Sequence, residues 1–270
     1  MPELPEVEVS RQGIEPGLVG QTISDINIRT PKLRWDVPTA IHATQGHLIR
    51  SVTRRAKYLF INTDVGSIIL HLGMTGFLRV FEQSTPLKKH DHLDINLANG
   101  QCLRFNDARK FGACLWQGIS DEPHVLLAAL GPEPLTDDFT LDHLHARAKG
   151  RTCTVKQFVM DNKNVVGVGN IYANEALFLA KIAPKRAAGN ISAKRYALLS
   201  KYIKEVLAAA IAQGGTTLKD FSQVDGNPGY FRLHLNVYGR AGEACRICST
   251  EIKSAMIGQR NTFWCPSCQR

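Results

Sequence analysis

The spacing of hydrophobic positions changes along the chain, from alternation in the first half to helical periodicity in the second. After an opening segment with helical character, residues 5–14, apolar residues recur at every second position through several short stretches. These stretches are residues 23–28, 47–54, 57–63 and 66–72. Short alternating runs separated by tight turns are typical of a β-sandwich or barrel, which we expect up to about residue 118.

One hairpin can be located from its turn. Residues 94–97 and 102–105 alternate on either side of Asn99-Gly100. An Asn-Gly pair favours a type I′ turn, because both central residues of that turn need positive φ. We therefore predict antiparallel pairing of these two stretches around Asn99 and Gly100.

The second half of the chain is predicted to be helical. The stretch Gly131-Pro132-Glu133-Pro134-Leu135 indicates a domain boundary or linker. The clearest helix begins near Ser192 as its cap and ends at Gly214-Gly215. Its apolar stripe comprises Leu198/Leu199, Tyr202/Ile203, Val206/Leu207 and Ala210/Ile211. The Gly- and polar-rich stretch 214–229 that follows is expected to be a mobile loop.

Composition limits the partners of the protein. The 270 residues suffice for two ordinary domains, and a hydrophobic content of 44% supports packed cores. A formal charge of +9 and a pI near 9.3 favour a polyanionic partner, most simply nucleic acid, although an ordinary basic enzyme remains an alternative. Because no apolar run could cross a bilayer and no signal sequence is evident, we expect a cytoplasmic protein without membrane contact.

The cysteines form two groups. Cys245-x2-Cys248 and Cys265-x2-Cys268 have the spacing of a tetrahedral four-cysteine zinc site, and a redox-active dithiol pair is the alternative. The remaining cysteines are predicted to be small core residues; they are Cys102, Cys114 and Cys153.

The start of the chain carries candidate chemistry. If Met1 is removed, Pro2 gains a free secondary amine, and α-amino groups titrate near pH ~8. Such an amine can form a Schiff base, which here is a charged iminium, with a carbon at the aldehyde oxidation level. Glu3 and Glu6 are candidate acid and base groups. The alternative is an acidic helix start with Pro5 at the first helical position.

Basic and apolar residues follow several predicted strands. Arg54-Arg55-Ala56-Lys57 is a basic turn whose ordinary interpretation is solvent exposure. Met74 and Phe111, in glycine-flanked stretches, are either core residues or wedges that enter an opened duplex. Arg109, beside Phe111, could contact a base edge or a phosphate. His90-Asp91-His92 is better explained as polar strand surface than as a metal pair.

Two stretches in the second half could bind phosphate. Residues 166–172, VGVGNIY, lack the third glycine of a dinucleotide fingerprint, so we predict a tight turn with Asn170 as helix cap. Backbone N–H groups there could hold a phosphate, with Lys156 and Lys163 adding charge. Arg260, before the second cysteine pair, is either a phosphate ligand or a solvent-facing turn residue.

Taken together, these residues resemble one family. The opening MPELPEVE, Arg55-Ala56-Lys57-Tyr58, His71-Leu72-Gly73-Met74, Asp107-x-Arg109, Met160-Asp161-Asn162-Lys163, residues 166–172 and the terminal cysteines resemble bacterial formamidopyrimidine-DNA glycosylases, in order, over nearly the whole chain. The sister branch, endonuclease VIII, usually has Gly where this chain has Leu4. The relatives often carry a denser basic run where this chain has Lys149-Gly150-Arg151.

The resemblance implies an α+β protein of three parts: an N-terminal β-sandwich with a leading helix (1–130), a helical helix–two-turn–helix domain (131–235) and a four-cysteine zinc finger (236–270). Damaged double-stranded DNA would lie in the cleft between the domains. The resemblance also implies one structural zinc ion, no nucleotide cofactor, a monomer, and a bacterial protein associated with the nucleoid through DNA binding.

The resemblance further implies a reaction and residue roles. A damaged purine is flipped out, the Pro2 nitrogen displaces it from C1′, and β,δ-elimination cleaves the strand. Glu3 relays protons, Lys57 is a general acid, Arg260 binds phosphate, and Glu6 supports the site. The expected DNA contacts are His90, Arg109, Arg151 and Asn170, and the residues that fill the vacated gap are Met74, Arg109 and Phe111. The stretch 214–229 would close over the flipped base. The alternatives are the same chemistry on oxidised pyrimidines and a non-catalytic binder of damaged DNA.

Overall fold

The structure is a computed structural model that describes residues 2–216 and 235–270. It divides into two compact units. Unit 1 consists of Met1–Ala128 with Gly214–Tyr230, and unit 2 consists of Ala129–Gln213 with Phe231–Arg270. The division into the three consecutive segments 1–130, 131–235 and 236–270 stays a prediction. In the described parts of the chain, no helix has the length and apolar character that a bilayer span requires.

Unit 1 contains helix α1 (Leu4–Leu18) and two four-stranded antiparallel sheets. The strands are β1 (Ile23–Ile28), β2 (Ser51–Arg55), β3 (Tyr58–Asn62), β4 (Gly66–His71), β5 (Phe77–Glu82), β6 (Asp91–Leu97), β7 (Gln101–Asn106) and β8 (Ala113–Gly118). One sheet has the order β1-β6-β7-β5 and the other β2-β3-β4-β8. Both sheets and α1 contribute to one hydrophobic core, which confirms the predicted sandwich.

Helix α1 is longer than the predicted 5–14. It extends to Leu18 although Pro16 lacks the N–H of a helix interior, because Ile14 and Leu18 are fully buried and hold the last turn in the core. The helix packs against β2, β3 and β5. On its polar side, Glu8 accepts from Arg54 of β2 at 2.9 Å. This ion pair fixes the end of β2 beside the first turns of α1.

The predicted hairpin is present, but its turn differs from the predicted type. Strands β6 and β7 pair with Ile95 opposite Leu103. Gly100 has φ +88°, whereas Asn99 keeps negative φ, so the turn is not type I′. The Gly100 N–H donates to the Leu97 carbonyl at 3.2 Å, which places Ala98 and Asn99 at the centre of the turn. The Asn99 side-chain oxygen accepts from the Gln101 N–H. This local hydrogen bond stabilises a loop of residues 98–100, which is longer than the predicted two-residue turn.

Helices dominate unit 2. After α2 (Val125–Ala128) at the end of unit 1, they are α3 (His143–Ala148), α4 (Val155–Met160), α5 (Asn170–Leu179) and α6 (Ala193–Ala212). A terminal hairpin follows, with strands β9 (Lys253–Ile257) and β10 (Arg260–Trp264). Two short 3-10 helices, Thr39–Thr44 in unit 1 and Ala188–Asn190 in unit 2, complete the described elements.

Helix α6 begins after Ser192 and is followed by Gly214 with φ +74°, as predicted. The Ser192 side chain makes no capping hydrogen bond, so only its position as cap was correct. The buried face of α6 is narrower than predicted. Leu198 of the first predicted pair stays 39% exposed, while Leu199 and Ile203 are buried. Of the predicted mobile loop, residues 217–229 lie outside the described part of the chain.

Two of the three scattered cysteines are core residues. Cys102 of β7 and Cys114 of β8 are buried, as predicted. The prediction for Cys153 was wrong, because it lies in the loop before α4 with its side chain exposed. There its carbonyl, which accepts from the Ala188 N–H at 2.9 Å, connects the loop to the rest of the unit.

Candidate functional site

The start of the chain is built into unit 1. Pro2 is buried, and Glu3 is only 3% exposed as the N-cap of α1. The Glu6 carboxylate is fully buried and accepts from the Glu3 N–H at 2.8 Å and from the Thr216 N–H at 3.0 Å. Because α1 begins at Leu4, Pro5 is the second helical residue and not the first. One carboxylate thus fixes both the chain start and the segment that follows α6.

The basic turn after β2 is not the solvated turn of the ordinary interpretation. Lys57 is only 9% exposed, and Ala56 has φ +53°. Arg54 donates to both Glu8 and the Ala56 carbonyl, at 2.9 Å each. These bonds place the turn that carries Lys57 beside the first turns of α1.

His71, at the end of β4, lies in a cationic environment. The pKa of His71 is lowered to about 4, chiefly by burial and also by the nearby charges of Lys57 and Arg34. The Gly73 N–H donates to His71 Nδ1 at 3.0 Å. A neutral ring can accept this hydrogen bond, so His71 shapes the following loop rather than serving as a proton carrier near neutral pH.

Two loops meet at this end of the sandwich, the 72–76 loop after β4 and the 107–112 loop after β7. Met74 lies in the first, and Arg109 and Phe111 lie in the second. Phe111 is 44% exposed, and the Arg109 guanidinium lies 4.7 Å from the centre of its ring. His90 joins them, because its carbonyl accepts from the Asp107 N–H at 3.1 Å. The structure therefore brings together the four residues of unit 1 predicted to contact DNA or to fill the gap.

The prediction of polar strand surface for residues 90–92 was wrong. Asp91 and His92 are buried, and a register shift between Asp91 and Leu93 interrupts the alternation of the strand. The His92 ring lies 2.8 Å from both the Thr30 hydroxyl and the Asp107 carbonyl. His92 therefore supports the 107–112 loop from inside.

In unit 2, Asn170 and Arg260 are neighbours. The N-cap of α5 is Gly169, so the prediction of Asn170 as cap was wrong. Asn170 is instead the first helical residue, and its side-chain amide donates to the Asn261 carbonyl at 3.0 Å. Arg260, next to Asn261, is exposed at the start of β10. This contact puts the N-terminus of α5 beside the hairpin that carries Arg260.

Lys156 does not supply surface charge. Its side chain is fully buried, and its ammonium donates to the Thr262 hydroxyl at 2.6 Å and to the Asn261 carbonyl at 3.3 Å. The Asn174 side chain of α5 accepts from the Phe263 N–H at 2.8 Å. Helices α4 and α5 thus both hold the β9–β10 hairpin.

Arg151 lies in the segment between α3 and α4. Its N–H donates to Ala148 and its carbonyl accepts from Gly189 at 2.8 Å, which fixes its backbone before α4. Within the described ranges 2–216 and 235–270, Arg151 forms no hydrogen bond to Asn170 or Arg260. Lys163 is exposed after α4. Among the described residues, no hydrogen bond therefore ties Arg151 to the hairpin.

Sequence reasoning missed Glu175. This carboxylate of α5 is 2% exposed and accepts from the backbone N–H groups of Asn236, Val237 and Tyr238 at 2.8–2.9 Å. The Tyr238 ring then packs edge-on against Phe263. An acidic residue directly before the apolar run ALFL of α5 was the available signal for a buried structural carboxylate.

The four paired cysteines suit a zinc ion. The sulfurs of Cys245, Cys248, Cys265 and Cys268 all lie within 4.8 Å of one another. The Cys248 and Cys265 sulfurs are 3.4 Å apart and the Cys245 and Cys268 sulfurs 4.0 Å apart, whereas a tetrahedron with Zn–S bonds of about 2.3 Å has edges of about 3.8 Å.

Hydrogen bonds around the cysteines also favour the metal. The Ile247 N–H points at the Cys245 sulfur and the Cys268 N–H at the Cys265 sulfur, both at 3.4 Å, as expected for donors that support thiolate ligands. Hydrogen bonds from Thr250 lower the pKa of Cys248 to about 6, which favours the thiolate, whereas burial raises the pKa of Cys265 and of Cys268. The site is a structural zinc site, because all four tetrahedral positions are protein ligands.

Family models match three successive parts of the chain. The formamidopyrimidine-DNA glycosylase N-terminal domain matches residues 1–114, and the formamidopyrimidine-DNA glycosylase H2TH domain matches residues 130–222. The zinc finger found in FPG and IleRS matches residues 242–270. The third match agrees with the cysteine geometry.

Curated relatives match over their full length. Formamidopyrimidine-DNA glycosylase of Pseudoalteromonas atlantica is 61% identical over 270 residues, with both chains fully covered. The protein of the same name from Vibrio atlanticus is 59% identical over 269 residues, again with full coverage of both.

Solved structures give the same result. The MutM (Fpg) protein of Thermus thermophilus is 35% identical, with a TM-score of 0.89 over 99% of this chain and 98% of that one. A Lactococcus lactis Fpg mutant bound to Fapy-dG DNA is 34% identical, with a TM-score of 0.92 and full coverage of both chains. MutM in complex with carbocyclic 8-oxo-G DNA has a TM-score of 0.91 at 34% identity, also with full coverage. The chain belongs to the formamidopyrimidine-DNA glycosylase family.

Proposed function

We propose that Pro2 is the nucleophile of this bifunctional glycosylase, which removes oxidised purines from duplex DNA and then cleaves the abasic site. The observation that carries the proposal is the fixed position of the chain start. Pro2 is buried, Glu3 begins α1, and the Glu6 carboxylate holds the Glu3 N–H. A binding protein has no need of an ordered N-terminal amine, whereas a nucleophile must be held in place.

The reaction requires removal of Met1, which lies outside the described residues. The freed Pro2 nitrogen attacks C1′ of the flipped nucleotide, and the bond from C1′ to the base breaks as the base takes up a proton. Glu3 relays this proton and helps to open the sugar ring. The resulting iminium is positively charged and acidifies the C2′ proton.

Strand cleavage follows from the iminium. Loss of the C2′ proton drives β-elimination of the 3′ phosphate, and a second, δ-elimination expels the 5′ phosphate. Lys57 donates protons near the leaving groups, while Arg260 binds phosphate and supports the second elimination. Water as nucleophile would stop after base removal, so an amine accounts for both activities.

The remaining residues bind the duplex. His90, Arg109, Arg151 and Asn170 contact DNA, and Met74, Arg109 and Phe111 occupy the gap left by the flipped base. The exposure of Arg109 and Phe111, and the half-buried position of Met74 in the adjoining loop, support this role. The zinc ion stabilises the hairpin that carries Arg260.

The substrates are 8-oxoguanine and formamidopyrimidines. Two of the solved relatives were bound to DNA with Fapy-dG or an 8-oxo-G analogue, which favours purine lesions over oxidised pyrimidines. We further propose that the protein acts as a monomer and, as a basic duplex-binding enzyme, associates with the nucleoid.

Borohydride trapping on a duplex with 8-oxoguanine opposite cytosine tests the nucleophile. Mass spectrometry should locate the adduct on Pro2 with Met1 absent. Pro2→Gly, which puts a primary amine in place of the secondary one, should reduce the lyase activity, whereas Pro5→Ala, which changes the helix start but not the amine, should keep it. An adduct on Lys57 would identify Lys57, and not Pro2, as the nucleophile. Tight lesion binding without an adduct would favour a non-catalytic binder.

A further inference from the structure

Asp107 connects the two loops that carry the gap-filling residues. Its side chain is fully buried. One carboxylate oxygen accepts from the Thr75 hydroxyl at 2.5 Å and from the Arg109 N–H at 3.2 Å. The other oxygen accepts from the Gly112 N–H at 2.7 Å. A single carboxylate therefore reaches the 72–76 loop and both ends of the Arg109–Phe111 segment.

The Asp107 carboxylate accepts more hydrogen bonds than a local turn requires. The bond from Arg109 N–H to the side chain two residues earlier is an ordinary Asx turn. The bond from Thr75 spans 32 residues and joins a different loop. The Arg109 N–H also donates to the Thr75 hydroxyl at 3.2 Å, so Thr75, Asp107 and Arg109 form a closed triangle.

The backbones of the two loops are in direct contact as well. A Cβ on Gly73, which has φ +63°, would lie 2.4 Å from both the Gly112 nitrogen and the Phe111 carbonyl carbon. A Cβ on Gly112 would lie 2.7 Å from the His71 carbonyl oxygen. Only glycine permits this approach at both positions. The loops can therefore shift only together while the Asp107 bonds persist.

We propose that Asp107 is a positioning residue that joins Met74, Arg109 and Phe111 into one preset wedge. The proposal rests on the gap-filling role of these side chains. Because the loops are fixed before DNA binds, the wedge loses its conformational entropy during folding and not when it binds at the lesion. The carboxylate itself is buried and acts through Thr75, Arg109 and Gly112 without touching the substrate.

Thr75→Val tests the connection, because it removes the hydroxyl but keeps the shape of the side chain. Thr75→Ser, which keeps the hydroxyl, is the matched control, and Asp107→Asn replaces one acceptor by a donor. Amide hydrogen exchange in the free protein measures the connection without any substrate. We expect exchange at Arg109 and Gly112 to rise about tenfold in Thr75→Val and Asp107→Asn but not in Thr75→Ser. Unchanged exchange would overturn the proposal.

A second measurement separates wedge positioning from general damage. Fluorescence of 2-aminopurine next to the lesion reports unstacking of the duplex, and borohydride trapping on a single-stranded abasic oligonucleotide reports the amine chemistry alone. Thr75→Val should slow the fluorescence change about tenfold and leave single-strand trapping within about twofold of wild type.

Each other outcome has a distinct meaning. Equal loss in both assays would indicate a misfolded site and contradict a positioning role. Faster exchange with an unchanged fluorescence rate would show that the loops act independently, which also overturns the proposal. If wild-type protein itself produced no fluorescence change, the gap-filling role would fail, whereas the exchange data would still decide whether Asp107 joins the loops.

Discussion

His71 shows how one residue can make stability depend on pH. Its pKa is about 4 in the folded protein, below the ordinary value near 6.5, chiefly because of burial. The unfolded chain therefore binds a proton between these values that the folded protein does not. The stabilising contribution is complete above about pH 6.5 and decreases as the pH falls towards 4.

We predict that His71→Asn reduces this acid sensitivity. An Asn side-chain oxygen can still accept from the Gly73 N–H, but it does not titrate. Between pH 7 and pH 4.5, wild type should lose about 2 kcal/mol more unfolding free energy than the variant. Urea unfolding of both proteins at the two pH values measures this difference. Parallel loss in both would exclude His71 as the source.

For single residues, the sequence indicated candidate reactive groups better than the buried side chains that hold them in place. The four paired cysteines are recognisable from residue type and spacing, and the same reasoning indicated the Pro2 amine as a candidate nucleophile. Asp107 and Glu175 are not recognisable in this way, because each carboxylate is explained by donors that are distant in sequence, such as Thr75 and Asn236. A buried acid is recognised only when its partners are known.

Among the elements, the β9–β10 hairpin depends on a buried cation. The Lys156 ammonium supports the Thr262 hydroxyl and the Asn261 carbonyl. Lys156→Met should remove both of these hydrogen bonds and destabilise the hairpin locally by about 1–3 kcal/mol. Hydrogen exchange of the hairpin amides should therefore accelerate. Lys201→Met, at an exposed position paired only with Glu205 in the described ion pairs, is the control and should change nothing.

The zinc ion should determine whether the same hairpin folds. Removal of the metal with a chelator is expected to release the constraint on the four cysteines and to unfold residues around β9 and β10. Binding to a stable abasic-analogue duplex should weaken at least tenfold and recover when zinc is restored. Metal analysis should find one zinc per chain, and a value far below one would refute the four-cysteine site.

Local patterns predicted elements well and their ends less well. Alternation and helical spacing gave the sandwich strands and α6, since both depend on burial of one face. The turn at Asn99-Gly100 and the cap at Asn170 were wrong because side-chain hydrogen bonds decided them. Asn99 bonds within its own loop, and Asn170 bonds to Asn261, a residue 91 positions away.

For the whole molecule, the basic charge makes salt dependence the most direct test of the proposed interface. Four cations are proposed to face the DNA at or near phosphates: Lys57, Arg109, Arg151 and Arg260. Each neutralised phosphate contributes about −0.9 to the slope of log affinity against log salt, so the expected slope is about −3 to −4. If the protein instead bound DNA through its total formal charge of +9, without defined contacts, no single cation would change this slope more than any other.

Arg260→Gln should therefore reduce the steepness of the slope by about 1 on a duplex with a stable abasic analogue. Lys201→Gln removes the same charge from an exposed side chain paired with Glu205, and it should leave the slope unchanged. Fluorescence anisotropy titrations from low to moderate salt measure both variants beside wild type. Equal reductions in the two variants would mean that binding follows total charge, because only a direct phosphate contact distinguishes Arg260 from a remote lysine.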